Sequence, residues 1–259
     1  MRRRPALLPL VALVLALAGG RAGAQQAPAV PPAPPTAVLE LFTSQGCASC
    51  PPADALLEEL AADPRVIAIT LAVDYWDYIG WKDTLAKHGH SLRQKAYAEQ
   101  RGDRMIYTPQ IIVDGVAPAK GSDKAAVHKA MAKAKDIGNA LTVPVALAVK
   151  GTDLVIDVGA LPHAGGHAGT VTGDIWVCPV LRNHEVAIGR GENAGKTVTY
   201  TNVVRGWIRL GPWTGRAATF SVPLDRVRQE QEDGVVVMVQ SGSPTAPGPI
   251  LGAARLGLN

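Results

Sequence analysis

The sequence predicts an α/β domain of element order β-α-β-α-β-β-α over residues 37–139, followed by an all-β, sandwich-like domain over residues 140–259. Three observations carry this. Short apolar runs alternate with helical stretches up to Asn139. Cys47 and Cys50 form a Cys-x-x-Cys pair where a strand gives way to a helix. Beyond Ala140 the chain becomes a series of short alternating runs separated by Gly and Pro.

The first residues read as an address rather than as fold. Arg2, Arg3 and Arg4 precede an apolar run from Ala6 to Ala18, broken only by Pro9 and too short to span a bilayer. Ala22-Gly23-Ala24 supplies a small-x-small cleavage pattern. Residues 1–24 are therefore expected to be a signal peptide cut after Ala24, with export to a periplasm and no stable membrane span afterwards. The formal charge of the whole chain is +4. Residues 1–24 hold four arginines and no acid, so the remainder is balanced and gives no support for a nucleic-acid partner. Residues 25–36 (QQAPAVPPAPPT) read as a Pro/Ala-rich, semi-rigid tether.

Val38 to Phe42 is a first strand, and Pro51 to Ala62 a helix with Ala55, Leu56, Leu57 and Leu60 on its apolar side. Pro51 suits a first helical turn, where no internal partner is lost. Val66 to Val73 is apolar enough to be buried on both faces. Thr84 to Gln100 reads as helix. Ile111 to Val113 and Val116 to Ala119 flank Asp114-Gly115 as a hairpin. Ser122-Asp123 caps a helix running to about Lys135. In the second half, strands are expected at 141–149, 154–158, 171–181, 185–188, 197–210, 217–222 and 235–241.

This order, with Cys-x-x-Cys after the first strand and Tyr107-Thr108-Pro109-Gln110 opening the hairpin, resembles the thioredoxin fold. The resemblance implies that Pro109 is cis and faces the cysteines; X-Pro bonds tolerate cis far better than others. The chain is also similar to a bacterial family of exported thioredoxin-like proteins built on a domain of unknown function. That similarity rests on Glu40 to Asp54 (ELFTSQGCASCPPAD), Asp74 to Asp83 (DYWDYIGWKD), Tyr107 to Gln110, Gly189 to Gly195 (GRGENAG) and Thr201 to Arg205 (TNVVR).

Parallel first and second strands place their carboxyl ends at one sheet edge. Cys47, the Asp74–Trp81 loop and Pro109 should meet there. Cys47, at the mouth of the helix and expected to be exposed, is the candidate nucleophile, and Cys50 the resolving thiol. Thr108 and Pro109, with Tyr75, Trp76 and Trp81, are candidate substrate contacts. The aromatic loop is either a groove wall or a lid that packs on the sheet. Glu40 is either a proton relay for Cys50 or a structural carboxylate, lying on the strand face opposite Leu39 and Leu41, a face that can be wet. Asp54, one turn beyond Cys50, fits the ordinary preference for acids in a first helical turn.

The activity expected from these residues is thiol–disulfide exchange, with protein or small-molecule disulfides and thiols as substrates, a redox partner protein and no cofactor. One alternative is a redox-inert binding module with a structural disulfide. Another is a copper- or zinc-binding periplasmic protein, for which His163, His167 and His184 with Cys178, or His88, His90 or His128, would have to serve; they form no dense cluster, and no metal site is assigned. A thiol peroxidase lacks a Thr-x-x-Cys setting here. Gly189 to Gly195 is read as a tight strand connection, since no helix and no Lys-Ser/Thr follow it as a phosphate loop requires. Asn193, Asn202 and Arg205 are read as a polar network supporting the loops, and Cys178 as a buried free thiol.

Overall fold

In the computed structural model, residues 34–137, 139–162 and 171–258 are described. The expected signal peptide, most of the tether, and His163 and His167 lie outside them. The described elements are β1 (Ala37–Thr43), α1 (Pro51–Ala61), β2 (Val66–Ala72), α2 (His88–Arg101), β3 (Gln110–Val113), β4 (Ala117–Lys120) and α3 (Lys124–Lys135). They continue with β5 (Val145–Lys150), β6 (Asp153–Val158), β7 (Gly173–Ala187), β8 (Thr197–Val204), β9 (Ile208–Trp213), β10 (Ala218–Pro223), α4 (Leu224–Val227), β11 (Gly234–Ser243) and β12 (Ala246–Gly257).

The expected fold class is overturned. The chain is not a thioredoxin-like α/β domain followed by a separate β sandwich. It is mostly β, with one mixed nine-stranded sheet ordered β12-β11-β7-β8-β2-β1-β3-β4, β9 pairing on β7, and a second sheet ordered β10-β6-β5. The described α-helices are four, the longest of 14 residues. The large sheet crosses the expected boundary at residue 140 because β2 takes β8 as a parallel neighbour, in register at Thr70 and Val203.

Two side-chain bonds close that seam. Thr70 Oγ1 donates to Thr201 O at 2.7 Å, and Asn202 Nδ2 donates to Ala68 O at 2.8 Å. Asn202 sits at φ 48°, a left-handed conformation that Asn tolerates better than most residues. The physical reason for the seam is burial. All seven residues of β2 are buried, and an apolar edge strand left open would be costly and adhesive.

The core follows the sheet. On one face, Leu39, Leu41, Ile111 and Val113 pack with Ala53 and Leu57 of α1 and Val127 and Ala130 of α3. On the other, Val38, Phe42, Ile67, Ile69 and Tyr97 of α2 share one cluster with Cys178, Val180, Val204, Val236, Met238 and Ile250. Residues from both halves thus fill a single core. The small sheet covers a third cluster built on Ile156, Val177, Trp213 and Val237. Asp123 caps α3 by accepting from Ala126 N at 2.9 Å.

β12 is the strand the sequence conceals. Pro247, Gly248, Pro249 and Gly252 all lie within it, yet it pairs along β11 with register shifts at Gln240.

Candidate functional site

Cys50 is the N-cap residue of α1, and Cys47 lies three residues before it at the end of the β1 turn. The two form a disulfide with their Cα atoms 5.4 Å apart. The helix begins with Pro51, which needs no N–H partner there. Cys47 is only 1 % exposed and Cys50 is fully buried. The expectation of an exposed Cys47 is therefore corrected: Ala48 and Ser49 reach solvent, while the sulfur-bearing residues do not. Cys47 Sγ lies 3.5 Å from Ser49 Oγ.

The Thr108–Pro109 bond is cis. Pro109 O accepts from Gly121 N at 2.9 Å. A Cβ added at Gly121 would approach Leu41, Pro109 and Ala53 within 3.0 to 3.3 Å, so the proline ring and α1 close on one point. Trp76 ties the two motifs. Its Nε1 donates to Thr108 Oγ1 at 2.7 Å, and its Cβ lies 3.2 Å from where a Cβ on Gly46 would stand.

Tyr75 and Trp81 have fixed partners too. Tyr75 OH donates to Gln94 Oε1 at 3.0 Å, and Gln94 Nε2 donates to Tyr107 O and Gln110 Oε1. Burial, partly offset by these contacts, pushes the Tyr75 phenol up to about 12. Trp81 Nε1 donates to Gln45 Oε1 at 2.7 Å, its ring lies against Gly189, and its Cβ lies against Gly191. The aromatic loop thus packs and bonds as a cover, with Tyr78 as its exposed member.

The second half of the chain completes the site. Asn193, wholly buried, donates from Nδ2 to Gln45 O at 2.9 Å and to Cys47 O at 2.8 Å, and its Oδ1 accepts from Lys196 Nζ. The glycine-rich connection is a clamp on the cysteine turn. Glycines at 191 and 195, both at φ 78°, let this loop double back over the turn. Asp83 also holds the turn, accepting from Gln45 N at 2.8 Å and from Leu85 and Ala86 N.

Two buried carboxylates have contrasting surroundings. Glu40 is fully buried, so its face is not wet. It accepts from Arg93 Nε and Tyr97 OH, both at 2.6 Å, and Arg93 Nη2 donates on to Tyr97 OH and Gln240 Oε1. The Arg93 guanidinium stacks 4.5 Å from the Trp207 ring centroid. This network lies on the α2 side of the sheet, across from α1 and Cys50, so Glu40 is a paired structural carboxylate. Asp54, by contrast, is 3 % exposed and neither of its oxygens makes a hydrogen bond. Burial, partly offset by the nearby Thr43 hydroxyl and reinforced by the Asp83 carboxylate, holds its pKa well above the usual range.

Among the described residues, no group of three or more His, Cys, Asp or Glu is placed to hold a metal ion. His88 pairs with Asp74, and His90 Nδ1 lies 2.9 Å from Ala72 O. Cys178 is buried and free, its thiol pushed up by burial. An apolar cavity of about 440 Å³ lies elsewhere, between α2 and the β11–β12 turn, lined by Leu92, Arg93, Trp176, Trp207 and Pro244 among others. No described helix is long and apolar enough to cross a membrane.

The family described as Protein of unknown function (DUF1223) matches residues 38–240. The chain belongs to that family. Its matched region takes in both cysteines, the Trp76–Thr108 link and the Asn193 clamp. The chain is similar to a protein from Agrobacterium tumefaciens of known crystal structure, at 33 % identity and a TM-score of 0.76, over 88 % of this chain and 96 % of that one. It also matches HBP35 of Porphyromonas gingivalis at 15 % identity and a TM-score of 0.56, over 87 % and 76 % of the two chains, a likeness of fold alone. No curated protein matches the chain.

Gln45 and Asp83 lie within the two stretches that carry the family resemblance, but only the folded turn reveals that Asp83 and Trp81 both grip Gln45, two residues before Cys47.

Proposed function

We propose that this member of the family is a thiol–disulfide oxidoreductase, exported to the periplasm, that exchanges disulfides with protein substrates through Cys47 and Cys50. The observation that carries the reading is the pairing of Cys47 with Cys50 at the start of α1, joined through Trp76 to the cis Thr108–Pro109 bond. In this reading a substrate thiolate attacks Cys47, a mixed disulfide forms and Cys50 leaves; the reverse course reduces a substrate. Tyr78, Met105 and Tyr107, all exposed and within three residues of Trp76 or Thr108 in the chain, offer apolar contact to an extended polypeptide. Residues 1–24 support export.

A second reading has its own observation. Both cysteines are buried, which favours a static bridge. Equilibration in glutathione buffers, with trapping of free thiols, separates the two. Exchange is expected to give a potential between about −270 and −120 mV. A pair locked as disulfide down to about −300 mV would overturn exchange and leave the structural bridge.

A further inference from the structure

We infer that the cavity between α2 and the β11–β12 turn is a binding site for a small aromatic carboxylate. No residue of the cysteine turn lines it, and the inference stands whether or not Cys47 and Cys50 exchange. Its volume of about 440 Å³ is that of a small-molecule site.

The walls are apolar and aromatic. Trp176 of β7 and Trp207, just before β9, stand at 81° with ring centroids 6.1 Å apart. Both are only partly buried and both line the cavity. Leu92 and Ala96 of α2 and Pro244 of the turn extend the carbon surface. Indole surface left in water is costly, and a corner made of two rings at right angles offers a flat guest one face and one edge.

Arg93 supplies the polar end. It is 9 % exposed and lines the cavity, with its guanidinium stacked 4.5 Å from the Trp207 ring centroid. Nε donates to Glu40, and Nη2 donates to Tyr97 OH and Gln240 Oε1. Nη1 donates to no described residue and is not among the enclosed, unpartnered atoms, so it keeps a donor to give. The neighbouring acids are engaged elsewhere or on Nε: Glu40 holds Arg93 Nε and Tyr97 OH, Glu99 faces Lys95 at 3.7 Å, and Asp174 holds Arg209 at 2.7 Å. Lys95 places a second cation among the lining residues. A carboxylate is the acceptor that makes the stronger, charge-assisted bond to such a donor. Because Glu40, Tyr97 and Gln240 already fix the guanidinium, little has to be ordered when the ligand arrives.

The test is calorimetric titration of the full mature chain with 2-naphthoate and with its neutral isostere 2-naphthamide. The naphthoate is expected to bind at a single site, and the naphthamide about tenfold more weakly. Leu92→Glu sets an acid on the cavity wall at a side chain 54 % exposed; it should melt as wild type does and weaken naphthoate about tenfold. Absence of naphthoate binding at millimolar concentration overturns the site. Equal affinity for the two compounds overturns the carboxylate contact with Arg93. Naphthoate affinity unchanged in Leu92→Glu puts the ligand elsewhere and overturns the assignment. The first two results come from wild-type protein and stand even if the variant fails to fold. None of the three depends on reduction of the Cys47–Cys50 bond, so failure here leaves the exchange reading to its own test.

Discussion

Trp76 Nε1 donates to Thr108 Oγ1 at 2.7 Å, so the residue that covers Gly46 also holds the residue before the cis proline. The cysteine turn and the Pro109 turn are separate in sequence, and this one indole spans them. Trp76→Phe and Thr108→Val should each cost about 1 kcal/mol in urea denaturation, with a coupling of about 0.5–1.5 kcal/mol in the double-mutant cycle. A coupling near zero would mean the bond contributes nothing.

Asn193 should act as a latch on Cys47. Asn193→Ala removes two donors to buried carbonyls and is expected to cost about 2–3 kcal/mol. In the reduced protein it should also raise the alkylation rate of Cys47 by about tenfold, the equivalent of about 1.4 kcal/mol of opening. Equal alkylation rates in variant and wild type would remove the latch.

The Glu40–Arg93 pair should matter to stability and not to exchange. Glu40→Gln leaves Arg93 buried beside a neutral partner, at a cost of about 3–5 kcal/mol. Below its melting transition the variant is expected to keep the wild-type pH profile for exchange. A shifted profile would return Glu40 to the role of proton relay.

Two buried groups should pull stability in opposite directions with pH. Burial lowers the His90 pKa to about 4, below its ordinary 6.5, so the unfolded chain takes the proton first and His90 costs stability as pH falls from about 6.5 to 4. Burial raises Asp114 to about 6 from 3.8, so the folded chain takes that proton first; this stabilisation builds as pH falls through 6 and is lost as pH rises. Relative to wild type, Asp114→Asn should lose up to about 3 kcal/mol between pH 7 and pH 4, and His90→Asn should gain a similar amount. Urea denaturation at several pH values checks both signs. The Asn at 114 keeps the acceptor for Val38 N and tolerates the φ of 52° found there.

Local chemistry made part of this molecule legible. The apolar run of β1, the spacing of Leu56, Leu57 and Leu60, and the proline at 109 each carry their signal within a few residues. What stayed hidden depends on contacts distant in sequence. Thr70 bonds to Thr201, and Asn202 to Ala68, across more than a hundred residues, so no window of sequence exposes the seam. Glycine weakens a strand, but a Cβ at Gly252 would come within 2.2 Å of Val143 O, and the close approach explains the glycine. Asp54 looked like any first-turn acid, because burial on both sides is a property of the fold and not of the helix. Cys47 looked accessible for the same reason, since its cover comes from Trp76 and its clamp from Asn193.

The parallel β2–β8 junction bears on how the gene can be cut. A fragment ending near residue 139 would display the bare flank of β2, and the remainder would lack the neighbour that β8 requires. Each piece alone is expected to precipitate, whereas the two pieces made in one cell should recombine. The chain thus lends itself to a split reporter whose halves become soluble only on meeting, and whose assembled state restores the Asn193 grip on the cysteine turn.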